Sequence, residues 1–116
     1  MQNMDESIYE KMRGKVRFNV DLNATYRIKG QNMQHQECRI ANLSSSGATA
    51  RFPRTESLKN GAVLAMNIAI PNTIMRVETE AEIMWTKQRF SELISGIKFT
   101  GIFSENMIQQ LVKKTP

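Results

Sequence analysis

One cysteine, one histidine and one tryptophan are all that 116 residues hold of those types, and each shortage excludes a class of protein. Cys38 alone cannot close an intrachain disulfide. With His35 it makes no cluster able to hold structural zinc, so no metal site is expected. A chain of this size needs neither, because about two-thirds of its unfolded surface can be buried in an ordinary core. The longest apolar run, Ala62–Met66, falls far short of the roughly 20 residues of a membrane span, so membrane insertion is not expected. Near the first residue stand Gln2, Asn3, Asp5 and Glu6, where a secretory signal carries a basic end and an apolar stretch. The expectation is a reducing, cytoplasmic compartment.

Catalytic sets are equally short of members. Around the lone His35 no Cys–His or Ser–His–Asp arrangement assembles, and neither GxxxxGK[ST] nor GxGxxG occurs. A binding domain is expected rather than an enzyme, with no catalytic residue. What the chain does have is 41% hydrophobic and 23% charged residues, the composition of a globular domain. Its formal charge of +5 favours an anionic partner without selecting among nucleotide, nucleic acid and membrane surface.

Period-2 alternation dominates the pattern. From Val16 to Lys29, Phe18, Val20, Leu22, Ala24, Tyr26 and Ile28 are apolar and the residues between them polar, as in a strand with one buried face. Met33–Ala41 reads as a weaker strand after a turn at Gly30. Ala48–Phe52 and Val63–Ile70 follow, separated by a breaker-rich connection from Pro53 to Gly61. Ile74–Lys87 alternates again, with Val77, Thr79, Ala81, Ile83 and Trp85 on its apolar side and Trp85 expected in the core. Glu78, Glu80 and Glu82 are expected on a solvated outer face that discourages edge pairing. Leu93–Thr100 gives a last strand. Ser104 then suits an N-cap, and Met107, Ile108, Leu111 and Val112 form the apolar stripe of a short helix that must dock on the sheet. About six short strands and one terminal helix predict a mainly all-β fold, a small antiparallel barrel. Residues 1–10 are expected to form a flexible N-terminal segment, and 11–116 the domain.

Two segments break the strand pattern. Lys11–Arg17 places Lys11, Arg13, Lys15 and Arg17 within seven residues and no acid among them. Guanidinium groups grip phosphate with paired hydrogen bonds and lie flat on purine rings; a solvated basic tail has the same composition. Asn42–Gly47, Asn-Leu-Ser-Ser-Ser-Gly, combines an amide that donates and accepts with hydroxyls and a glycine that admits a ligand to the main chain. An ordinary inter-strand loop also uses these residues.

Taken together, the segments resemble the PilZ family of cyclic di-GMP receptors, whose pattern is RxxxR, a strand pair, then [DN]xSxxG. Arg13 and Arg17 match the first motif, and Asn42, Ser44 and Gly47 the second; Ile83–Trp85, Gly96–Phe99 and the short helix resemble the closing strands and tail. Position 42 is Asn where many members carry Asp, and Met12 stands where many carry a further Arg. The resemblance implies a six-stranded antiparallel β-barrel with a short C-terminal α-helix that binds cyclic di-GMP at its rim. Arg13 and Arg17 would hold phosphates and stack on or bond guanine, while Asn42, Ser44 and Gly47 would contact guanine and the nearby backbone. No other cofactor is implied.

The leading expectation is a non-enzymatic receptor in which the ligand orders residues 8–17 and 42–47 and thereby signals to an unidentified downstream protein. An adaptor of the same fold acting by protein contacts without ligand is the alternative. A small barrel binding single-stranded nucleic acid comes last, because only 7% of residues are aromatic and several alternate into the core. No DNA or RNA partner is expected.

Overall fold

In the computed structural model, residues 17–31, 34–53, 58–100 and 105–113 are described. The expected flexible segment, Arg13 and the Ser104 cap lie outside them. Alternating apolar residues produce six strands: β1 (Phe18–Ile28), β2 (Gln36–Leu43), β3 (Gly47–Pro53), β4 (Val63–Ala69), β5 (Arg76–Arg89) and β6 (Glu92–Phe99). One helix follows, α1 (Glu105–Lys113). Every strand pairs antiparallel with its neighbours, in the order β1-β2-β3-β6-β5-β4, and β4 returns to β1 to close the barrel. The fourteen residues of β5 serve two partners, β4 along its first half and β6 along its second.

A six-stranded barrel is narrow enough for its own side chains to fill. Leu22, Ile40, Leu43, Leu64, Ile68 and Ile83 occupy the interior, each removed from water and contributing about 1.5–3 kcal/mol by burial. Tyr26 and Phe52 meet edge to face there, with ring centroids 4.9 Å apart. Ile108 and Leu111, three residues apart and so on one helical face, join the same core, and Val112 packs against it. The expected stripe of α1 is present in these three; the side chain of Met107 lies outside the described set. Cys38 is buried in β2, and burial pushes its thiol up to about 12. His35, just before β2, is exposed.

Two expectations need correction. Trp85 is outside the core, 45% exposed, because the β5–β6 register shifts between Ile83 and Trp85. That bulge turns two consecutive residues, Met84 and Trp85, outward and ends the alternation. The second strand begins at Gln36 and runs to Leu43, so Asn42 belongs to a strand and only 44–46 form the turn. The glutamates of β5 lie on the outer face, as expected, where Glu80 pairs with Lys29 at 2.7 Å; the ladder to β6 begins only at Ala81, so Glu78 and Glu80 stand where β5 is paired on the β4 side alone. No helix among the described residues is long and apolar enough to cross a membrane.

Candidate functional site

Arg17 immediately precedes β1, and its neighbour Phe18 pairs with Leu43 at the end of β2. The pairing sets the start of the first strand beside the second motif, across 25 residues of chain. Arg17 Nη1 donates to Asn42 Oδ1 at 2.6 Å, so residues from both motifs touch. Register irregularities flank this point on both sides of β2, between Asn19 and Leu22 on β1 and between Ile40 and Asn42 on β2. Bulges of this kind re-aim side chains locally. Arg17 is exposed and Asn42 half-buried. Their planar guanidinium and amide groups can present several N–H donors to one anionic or purine ligand.

Ser44 faces inward and is 1% exposed. Its Oγ accepts from the amides of Ser46 and Gly47 at 3.3 Å each and donates to the Gly47 carbonyl at 3.3 Å. The Ser44 amide itself donates to that carbonyl at 2.8 Å, and the Ser46 carbonyl accepts from Phe99 N at 3.0 Å. This hydroxyl therefore closes the turn on itself, the usual competition of serine with backbone partners. Gly47 faces Lys98 of β6, and a Cβ built on it would lie closer than 3.0 Å to the Ile97 carbonyl oxygen. Glycine is required there by the approach of two backbones.

One ladder row extends the site around the barrel: Asn19, Asn42, Thr49, Gly96 and Trp85 are successive cross-strand partners. Facing partners share one side of the sheet. The Trp85 indole lies over Gly96, where a Cβ would collide with its Nε1, Cε2 and Cδ1 atoms. The ring therefore rests on the outer surface in the row that contains Asn42. Reasoning from alternation missed this residue. The available signal was Gly96 inside an otherwise regular strand, which marks a close approach of something to that strand.

Two further arginines near the site, Arg39 and Arg51, are occupied. Arg39 donates through Nε to Asp21 at 2.8 Å and through Nη1 to Asn23 at 2.8 Å, while Arg51 forks onto Glu92 at 2.9–3.1 Å. No group of three His, Cys, Asp or Glu able to hold a metal exists among the described residues.

The family model of the PilZ domain matches residues 11–114. No curated protein sequence matches the chain. Among solved structures, the PilZ domain of YcgR from Escherichia coli, determined with c-di-GMP, is similar with a TM-score of 0.69 at 12% identity, over 87% of this chain and 88% of that one. The Bacillus subtilis inhibitor of motility MotI/DgrA is similar with a TM-score of 0.66 at 17% identity, over 85% of this chain. This chain spans about half of MotI/DgrA, 47% of its length. At these identities the structural likeness concerns the fold, and it agrees with the family match over nearly the whole sequence: the chain belongs to the PilZ domain family.

Proposed function

We propose that this protein is a non-enzymatic cytoplasmic receptor for cyclic di-GMP that passes its signal to a downstream protein. The observation that carries the reading is the Arg17–Asn42 contact, which joins the arginine motif to the Asn-x-Ser-x-x-Gly motif on one exposed surface. Membership of the PilZ family and the likeness to a PilZ domain solved with c-di-GMP support the choice of ligand.

In this reading Arg13 and Arg17 bind phosphate and guanine, and Asn42 meets the edge of a base. Ser44 and Gly47 hold the turn that offers Asn42 and the loop backbone to the ligand. The Ser44 bonds fasten residues 44–47 through the protein's own groups, so we assign the ligand-linked ordering to the arm, residues 8–17. There the four cations repel one another until a dianion neutralises them. Trp85 adds an aromatic surface in the same row.

Calorimetric titration with cyclic di-GMP, with GTP and single-stranded RNA as controls, tests the proposal. A charge-assisted hydrogen bond contributes about 1.5–3 kcal/mol, so Arg17→Ala should weaken binding by roughly 10- to 150-fold. Arg17→Lys should recover little, because an ammonium lacks the planar fork. Undiminished binding by the Arg13→Ala/Arg17→Ala double variant would remove the site assignment. No binding of cyclic di-GMP to the wild type would favour the ligand-free adaptor, and tight binding of RNA would favour the nucleic-acid barrel.

A further inference from the structure

Beyond Thr49, the outer surface of β2, β3 and β6 continues into a groove of about 570 Å³, lined by Ala41, Thr49, Arg51, Arg89, Phe90 and Ile94. Small-molecule sites commonly have volumes of about 300–1,000 Å³. Thr49 is the ladder partner of Asn42, so the groove begins one strand away from the Arg17–Asn42 pair. Paired strands lie about 4.8 Å apart, which makes the two regions neighbours on one face.

The hairpin between β5 and β6 forms the far wall. Arg51 and Glu92 neutralise each other across it through the fork already described. Arg89 faces Glu92 in the ladder but has no ion pair among the described residues, which leaves the groove one net cation. Phe90 opens the two-residue turn at φ 52° and is 88% exposed. Glycine is the favoured occupant of such a position, and bulky L residues rarely adopt that backbone. An aromatic ring is thus kept in water, on an unfavourable backbone, beside an unneutralised guanidinium. Backbone strain of this kind concentrates at ligand contacts.

We infer that this groove is the second half of the nucleotide site, and the inference rests on the receptor reading above. Cyclic di-GMP presents two guanines and two phosphates, whereas the Arg17–Asn42 corner meets one end of such a molecule. The groove takes the other end: Phe90 stacks on the distal base and Arg89 pairs with the distal phosphate. The Arg51–Glu92 pair is the fixed wall against which that half rests.

The test is titration of the full chain with cyclic di-GMP and with 5′-GMP, using Arg89→Ala, Phe90→Gly and a charge control, Arg27→Ala. Arg27 lies on the outer face of β1 opposite Ala65 of β4, away from the groove. Arg89→Ala and Phe90→Gly should each lower affinity for cyclic di-GMP by about tenfold or more, and leave any binding of 5′-GMP unchanged. Phe90→Gly should melt no lower than the wild type, since it relieves the turn. Affinities equal to the wild type, or losses no larger than that of Arg27→Ala, would overturn the second half-site while the Arg17–Asn42 site stood. Failure of the wild type to bind cyclic di-GMP would overturn both.

Discussion

Gly47→Ala and Gly96→Ala each add one methyl group, and in both cases the new carbon would come closer than 3.0 Å to another atom. The obstacles differ in kind. At Gly47 it is backbone, the carbonyl oxygen of Ile97, with the Ile97 carbonyl carbon at 3.3 Å and Lys98 Cα at 3.4 Å behind it. Relief requires β3 and β6 to part by roughly 1 Å, which overpacks the core side and stretches the ladder beside it. Overpacking of this order costs about 1–3 kcal/mol, and a weakened ladder hydrogen bond about 1 kcal/mol more. Against this, replacing glycine restrains the unfolded chain and returns about 0.4–1 kcal/mol. The balance for Gly47→Ala is a loss of about 1–3 kcal/mol, a large share of the roughly 5–15 kcal/mol that hold a domain together. At roughly 4 °C per kcal/mol, Tm should fall by about 4–12 °C. At Gly96 the obstacle is the Trp85 indole, a surface side chain that can swing away. Gly96→Ala should therefore stay within about 1 kcal/mol of wild type and instead change the emission of the single tryptophan. Circular dichroism melts and fluorescence spectra of the two variants, with Gly30→Ala as a third, complete the comparison. Gly30 has open space around its Cβ but φ 88°, so its penalty isolates backbone conformation from crowding. Equal melting of Gly47→Ala and wild type would refute the claim that backbone approach selects glycine there.

Cys38 supplies a pH prediction. Its buried thiol titrates at about 12 in the folded chain against 9.0 for an unperturbed thiol, with desolvation as the cause. Between those values the unfolded chain has lost a proton that the folded chain keeps, so this group's contribution to stability is intact below about pH 9 and declines as pH rises. The slope is about 1.4 kcal/mol per pH unit, read as the difference between wild type and Cys38→Ala in urea titrations from pH 8 to 11. Parallel curves would contradict it. Amide exchange with and without cyclic di-GMP tests the site of ordering: protection should rise across residues 8–17 and change little at Ser44, Ser46 and Gly47, whose amides are already bonded. A rise confined to the loop would reverse that assignment.

Strand alternation made β1 legible almost residue by residue, because Leu22, Ala24, Tyr26 and Ile28 enter one core while Asp21 and Asn23 face water. The same rule failed at Trp85, since one irregular step in a ladder inverts every later assignment and leaves no mark in hydrophobicity alone. Motif spacing singled out Asn42 together with Arg17, and the structure places the two in contact. Its contact with Arg17 depends on which strands pair and in what register, and that is decided by long-range closure between β1, β2 and β4. Ser44 and Gly47 have the residue types expected of a binding loop, yet the structure engages both in local geometry. A hydroxyl that satisfies a turn and one that awaits a ligand are identical in sequence.

Closure of the six strands also limits how any other protein can recognise this one. A sheet that joins back on itself leaves no described strand with an edge open along its whole length; strand addition, among the commonest ways to capture a peptide, would find only part-strand edges, such as β5 beyond Glu82 and β1 before Ala24, which have no ladder partner in β4. Away from those short edges, recognition through the barrel proceeds by side chains standing on a finished cylinder, or by the segments that leave it. With a tightly filled interior, the cylinder itself has little freedom to change shape when its surface is occupied. A message written on this molecule stays on the outside, and a reader must touch the same surface on which it was written.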